Sequence, residues 1–148
     1  MNYYISEYFT IQEFVPKSVY LDRGEKAWQL MDLHLVENYD ALRKQLGVPI
    51  TLNDWAWGGK RHWQGLRTAD SSDYKVYSQH SFGRGGDATI EDIPANEVRQ
   101  QIRDRRIILP HPATFEVGVS WLHMDTRQST DMITFVNLTD VVWRFKGE

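Results

Sequence analysis

Apolar residues recur at steps of three and four along "RGEKAWQLMDLHLVENYDALRKQLG", at Trp28, Met31, Leu35, Tyr39, Leu42 and Leu46. One face of a 3.6-residue repeat is then continuously apolar, which predicts a helix of about six turns. Gly47 stands where a C-cap closes such a helix. The period then changes. "VPITLNDWAW" is entered through Pro49, is rich in β-formers and stops at Gly58-Gly59, so it predicts a strand. "GDATI" predicts a short strand, and "IPANEVRQQIRDRRII" a second helix with Pro94 in its first turn. "TFEVGVSWLHMD" alternates in part and is dense in β-branched and aromatic residues, which predicts strands or a hairpin around Gly118. "MITFVN" supplies a last strand. Between these, "GGKRHWQGLRTADSSDYKVYSQ" has no period and many turn residues, and loops that long in a compact domain are usually functional. Strands interspersed with helices, without regular βαβ spacing, predict an α+β domain with helices packed on a small antiparallel sheet.

Length and composition narrow the picture. A chain of 148 residues is expected to form one domain over 1–148, with 41% hydrophobic and 13% aromatic residues to build its core. A net charge of −3 lacks the basic footprint of a nucleic-acid binder, so no nucleic-acid partner is expected. There are no cysteines, so a metal would have to sit on His, Asp or Glu. The N-terminus "MNYYISEYFTIQEFVPK" has acidic residues where a signal peptide would have a positive region and an apolar run. No apolar stretch approaches the ~20 residues of a membrane span. The expectation is a chain made in the cytoplasm and released by other means if it acts outside the cell.

Candidate chemistry centres on "YSQHSFGRGGDATI", where His80 and Asp87 lie seven positions apart across three glycines. A third donor, His123, lies in "SWLHMD". Two imidazoles and a carboxylate suit zinc, and a catalytic zinc has three protein ligands and an open position. Gly83, Gly85 and Gly86 would let the chain turn back for both residues to grip one ion. Taken alone, a loop histidine and an aspartate opening a strand are more often plain turn residues.

"SQHSFGRGGD" resembles the Ser-x-His-x-x-Gly-x-Ala-x-Asp motif of the zinc D-alanyl-D-alanine peptidases, the group that includes VanX-like dipeptidases, phage L-alanyl-D-glutamate endolysins and the Hedgehog signalling domain. "SWLHMDTR" looks like that family's second motif, and "FTIQEFV" like the short N-terminal segment of its carboxypeptidase-like and phage members. The resemblance spans roughly Phe9 to Arg127. It implies a Hedgehog-like fold, with Ser78 as the motif serine near the substrate and His80, Asp87 and His123 as zinc ligands. Gly85 stands where the family usually has alanine.

The family's base is an acid a few positions before the last histidine. Glu116 is the only acid in that stretch, at an interval longer than Glu-x-x-His, so a turn at Gly118 has to bring it back. As base it would take a proton from the water that zinc activates and pass it to the leaving amine. Asp125, two residues past His123 and on the same face of a strand, is either a carboxylate that orients His123 or the base itself. Related enzymes carry "SGYRS" after the first strand; here the stretch is "LNDWAWGG", and Trp55 falls near the place of the family arginine. Arg61 or Arg67, in "KRHWQGLR", would replace it by binding a substrate carboxylate. Trp55, Trp57 and Trp63 form either an aromatic wall for a substrate or part of the core. His34 and His62 have no partner at ligand spacing, and His111, between Pro110 and Pro112, reads as a turn residue, so none of the three is assigned a metal.

The resemblance implies a zinc metallopeptidase, of D,D-carboxypeptidase or L,D-endopeptidase type, that hydrolyses an amide bond in peptidoglycan stem peptides. Bacterial peptidoglycan is the expected partner, with virion proteins a further one and no membrane. The alternative is a non-catalytic phage structural or tail-associated protein that keeps the fold.

Overall fold

The computed structural model describes residues 3–137. Three α-helices, α1 (Lys17–Arg23), α2 (Leu33–Leu46) and α3 (Ala95–Arg103), accompany five strands: β1 (Ile50–Thr51), β2 (Gly85–Ile90), β3 (Ala113–Glu116), β4 (Leu122–Asp125) and β5 (Ile133–Val136). The fold is α+β, and the sheet runs in the order β1-β2-β4-β3-β5. It is mixed rather than antiparallel, because β5 lies parallel to β3 while all other neighbours are antiparallel. The reason lies in which edges are free. β4 is flanked by β2 and β3, so the strand that follows it adds to the far edge of β3, and it arrives running in the direction of β3.

The long helix expected from Trp28 to Leu46 is broken. Gly24–Leu30 is a 3₁₀ segment, Met31 is extended, and α2 begins only after Asp32, whose carboxylate accepts from the Leu35 amide at 3.2 Å. The Asp32 amide in turn donates to the carbonyl of Gly83 at 2.8 Å, so the break is pinned by the turn that carries His80. The apolar stripe nevertheless points inward: Trp28, Met31, Leu35, Tyr39 and Leu42 are all buried. Gly47 closes α2 in the left-handed region, as its position suggested.

The expected strand through Trp57 also stops early. After Thr51 the buried Asn53 accepts from the Gln64 amide and donates to the Val15 carbonyl, and Trp55–Trp57 wind into a 3₁₀ turn. Pro94 stands at the N-cap of α3 instead of in its first turn. The β3–β4 hairpin, with Gly118 at φ +82°, and the last strand lie where they were expected.

One core holds these parts together. Leu35 and Leu42 from α2 meet Leu52, Phe115, Leu122 and Met124 from the sheet side, all essentially inaccessible to water. Burying each such side chain contributes about 1.5–3 kcal/mol. Leu122→Ala, in the strand that carries His123, would cost about 2–5 kcal/mol. Among the described residues no helix is long and apolar enough to cross a membrane.

Candidate metal centre

Asp87 on β2 sits directly opposite His123 on β4. β3 pairs with β4 through Phe115 and Met124, and one further step in that register sets Glu116 beside His123. Cross-strand partners point to the same face. Asp87, His123, Glu116 and then Val136 on β5 therefore form one row across the sheet. All four line a cleft of about 820 Å³. The turn at Gly118 closes the long Glu116-to-His123 interval.

His80 reaches the same row from outside the sheet. It lies in the 3₁₀ turn Gln79–Phe82, capped by the Ser78 hydroxyl, which accepts from the His80 amide at 3.3 Å. Its Nδ1–H donates to the Gly65 carbonyl at 2.8 Å. A carbonyl can only accept, so Nδ1 carries a proton, and Nε2, 3.3 Å from Asp87 Oδ2, is the nitrogen turned to the row. Only 4% of His80 is exposed.

His123 is held from both sides, with Nδ1 2.8 Å from Asp87 Oδ1 and Nε2 2.7 Å from Asp125 Oδ2. Burial alone would lower its pKa. The hydrogen bonds and charges of Asp125 and Asp87 outweigh that and raise it to about 9. Burial would likewise raise the carboxyl of Asp87, but hydrogen bonds from His123 and His80 and their charges hold it well below the usual carboxylate range. Without a metal, a protonated His123 supplies the positive charge between the two carboxylates.

The donor set fits a divalent ion. A tetrahedral ion with bonds of about 2.0–2.1 Å holds its ligand atoms roughly 3.3 Å apart. His80, Asp87 and His123 each offer one ligand atom, all within 4.8 Å of one another. Asp125 completes the arrangement from behind. It is fully buried, and besides His123 it binds Arg127 through Nε at 2.8 Å and Nη2 at 2.6 Å. A carboxylate behind a ligating imidazole fixes the ring's tautomer and orientation.

The remaining expected site residues divide. Arg67 lines the cleft; its Nε donates to the Trp63 carbonyl at 2.7 Å and its Nη2 to Asp87 at 2.9 Å. Ser78 also lines it. Arg61 does not: it reaches Thr89, two residues along β2 from Asp87. Trp55 is likewise absent from the lining, since its indole donates to the Val15 carbonyl and its ring packs near Tyr20 and His62. Glu116 lines the cleft in the row of His123, and its carboxylate makes no hydrogen bond or ion pair among the described residues. His34 and His111 stack on each other at 3.9 Å, and His111 pairs with Glu37, away from the cleft.

The glycines serve close packing more than a hairpin around the ion. Gly83, at φ +68°, would drive a side chain into the Leu30 carbonyl, and a Cβ at Gly86 would stand 2.7 Å from the Tyr39 hydroxyl, which donates to the Gly86 carbonyl. Sequence reasoning missed Gly65, Arg127 and the hydroxyl of Tyr39, whose ring it had placed in the core. Gly65 had no local signal, because its need comes from the distant Phe14 carbonyl against which it packs. Arg127 did carry one: two residues from Asp125, it belonged to the same strand-end cluster.

Comparisons of the chain with protein-family models, curated proteins and solved structures return no match.

Proposed function

We propose that this protein is a zinc metallopeptidase of the D-alanyl-D-alanine peptidase type, with the Hedgehog-like fold of that family, and that it hydrolyses an amide bond in peptidoglycan stem peptides. One observation carries the reading: Asp87, His123 and Glu116, whose carboxylate has no hydrogen bond among the described residues, stand in a single row on the floor of an open cleft, with His80 turned onto the first two. His80 Nε2, Asp87 and His123 Nδ1 would hold the ion. When bound, zinc supplies a Lewis acid that polarises a carbonyl and brings the pKa of water down to about 7.

The protein's own groups do the rest. Glu116 accepts a proton from the attacking water as its oxygen adds to the scissile carbonyl carbon, and delivers that proton to the nitrogen as the carbon–nitrogen bond breaks. Asp125 holds the Nε2 proton of His123 and keeps Nδ1 aimed at the cleft. It is the orienting carboxylate and not the base, since His123 and Arg127 occupy it below the cleft floor. Arg67 is the arginine placed to meet a substrate carboxylate, because its Nη1 makes no hydrogen bond among the described residues. Exposed Tyr77 and Trp121 on the lining offer apolar surface to the rest of the substrate.

A non-catalytic protein with a structural ion is the second reading. It is favoured by Arg67, whose Nη2 is spent on Asp87 instead of standing free for substrate. Incubating the zinc-loaded protein with peptidoglycan and identifying new termini by mass spectrometry separates the two. Cleavage at one stem-peptide bond is expected; intact peptides with zinc bound would establish the second reading.

A further inference from the structure

Arg99 on α3 is the largest fully buried side chain among the described residues, with 1% of its surface exposed. No ion pair to it exists among the described residues. The charge of Glu116 acts on it only across a longer distance, and a buried cation with no carboxylate in contact is costly and persists only where its donors are well used. Three of its four hydrogen bonds go to one turn. Nη1 donates to the carbonyls of Glu116 at 3.3 Å and Trp121 at 3.1 Å, and Nη2 to the carbonyl of Val119 at 2.8 Å and to the side chain of Asn96. These three carbonyls are the start, middle and end of the turn that joins β3 to β4.

That turn has little else to define it. Gly118 adopts a positive φ, and the Val117 amide donates to the Val136 carbonyl at 2.9 Å, but Val119 carries no turn preference and Ser120 only a weak one. Five residues can connect two antiparallel strands in several ways. In the one adopted here, with three of its carbonyls on a planar guanidinium, Glu116 stands in register with His123 and Trp121 lies on the cleft lining. A lysine could not replace the fork, because a single ammonium on a flexible stem cannot address three carbonyls in fixed directions.

We propose that Arg99 is a positioning residue for catalysis: its buried guanidinium is the template on which the β3–β4 turn folds, and through that turn it sets the Glu116 carboxylate opposite His123. The inference rests on Glu116 being the base of the proposed peptidase. The metal ligands are held independently of it, by the β2–β4 pairing and by Asp125.

The test is Arg99→Lys, with Asn96→Ala as a milder variant that removes one acceptor of the guanidinium. With zinc loaded, Arg99→Lys is expected to keep stoichiometric metal and an unchanged KM while kcat falls about 100-fold, the scale of an ångström of misplacement. Combined with Glu116→Gln it should cost nothing further, because the two act through one carboxylate. A wild-type kcat in Arg99→Lys, or losses that multiply in the double variant, overturns the proposal. Amide exchange reads the turn without any activity. Gly118 to Trp121 should exchange faster in both variants while Leu122 to Asp125 stay protected. Unchanged exchange in the turn, or protection lost across the whole sheet in both variants, also overturns it. A wild type that cleaves nothing refutes the peptidase reading and leaves the exchange result to decide whether Arg99 templates the turn.

Discussion

His123 Nδ1 and Asp87 Oδ1 face each other at 2.8 Å across β4 and β2, while the other nitrogen of the same ring is 2.7 Å from Asp125. A ring between two carboxylates binds a proton tightly or hands one nitrogen to a metal, and the two outcomes exclude each other.

Zinc and protons should therefore compete. The pKa of His123 in the metal-free fold is about 9, above the ordinary value near 6.5. A raised pKa stabilises the fold fully below the unfolded value, and that stabilisation is lost as pH rises through 9. The metal-free protein should lose thermal stability between about pH 6.5 and 9, and the zinc-loaded protein should not. At pH 7–8 zinc uptake should release about one proton, read by calorimetry in buffers of different ionisation enthalpy. No proton release would place the ion elsewhere.

Asp125→Asn retains the size of the side chain but removes the charge behind His123. Zinc affinity should fall about 10–100-fold with the fold intact. Zinc titration of the purified variant checks it, and an unchanged affinity would show that the ring needs no orienting carboxylate.

The fold and the site were legible to different depths. The apolar stripe from Trp28 to Leu42 marked the core correctly, yet the helix drawn through it ignored Asp32, an N-cap followed by Leu-His-Leu, and the Gly83 carbonyl that holds the break. The hairpin at Gly118 was visible because alternation and a positive-φ residue coincide there. The direction of β5 was not, since it depends on which strand edge is left free and no local pattern records that. Arg67 could be placed only as one of two arginines; the choice over Arg61 follows from where the long loop is tied, with Leu66 bonded to Phe14 and Arg67 to His80 through the backbone. Nothing in the local pattern marks Arg99, because its partners are carbonyls about twenty residues away.

Gly86→Ala tests the packing under the site. The added methyl meets the Tyr39 hydroxyl at 2.7 Å and Leu52 at 2.9 Å, both in the closed core. Such overpacking costs about 1–3 kcal/mol, so the melting temperature should fall by roughly 3–10 °C. An unchanged melting temperature would mean that Tyr39 moves aside freely.

Glu116→Gln preserves shape but cannot accept a proton. Zinc should remain stoichiometric while stem-peptide cleavage falls by about 10²–10⁴-fold. Wild-type turnover in this variant would pass the role of base to another group.

Metal content decides the centre itself. After equilibrium dialysis against zinc at neutral pH, the wild type should carry one zinc per chain, and His80→Ala and His123→Ala should each have lost it while keeping their far-ultraviolet circular dichroism. Stoichiometric zinc in both folded variants would contradict a centre built on His80, Asp87 and His123.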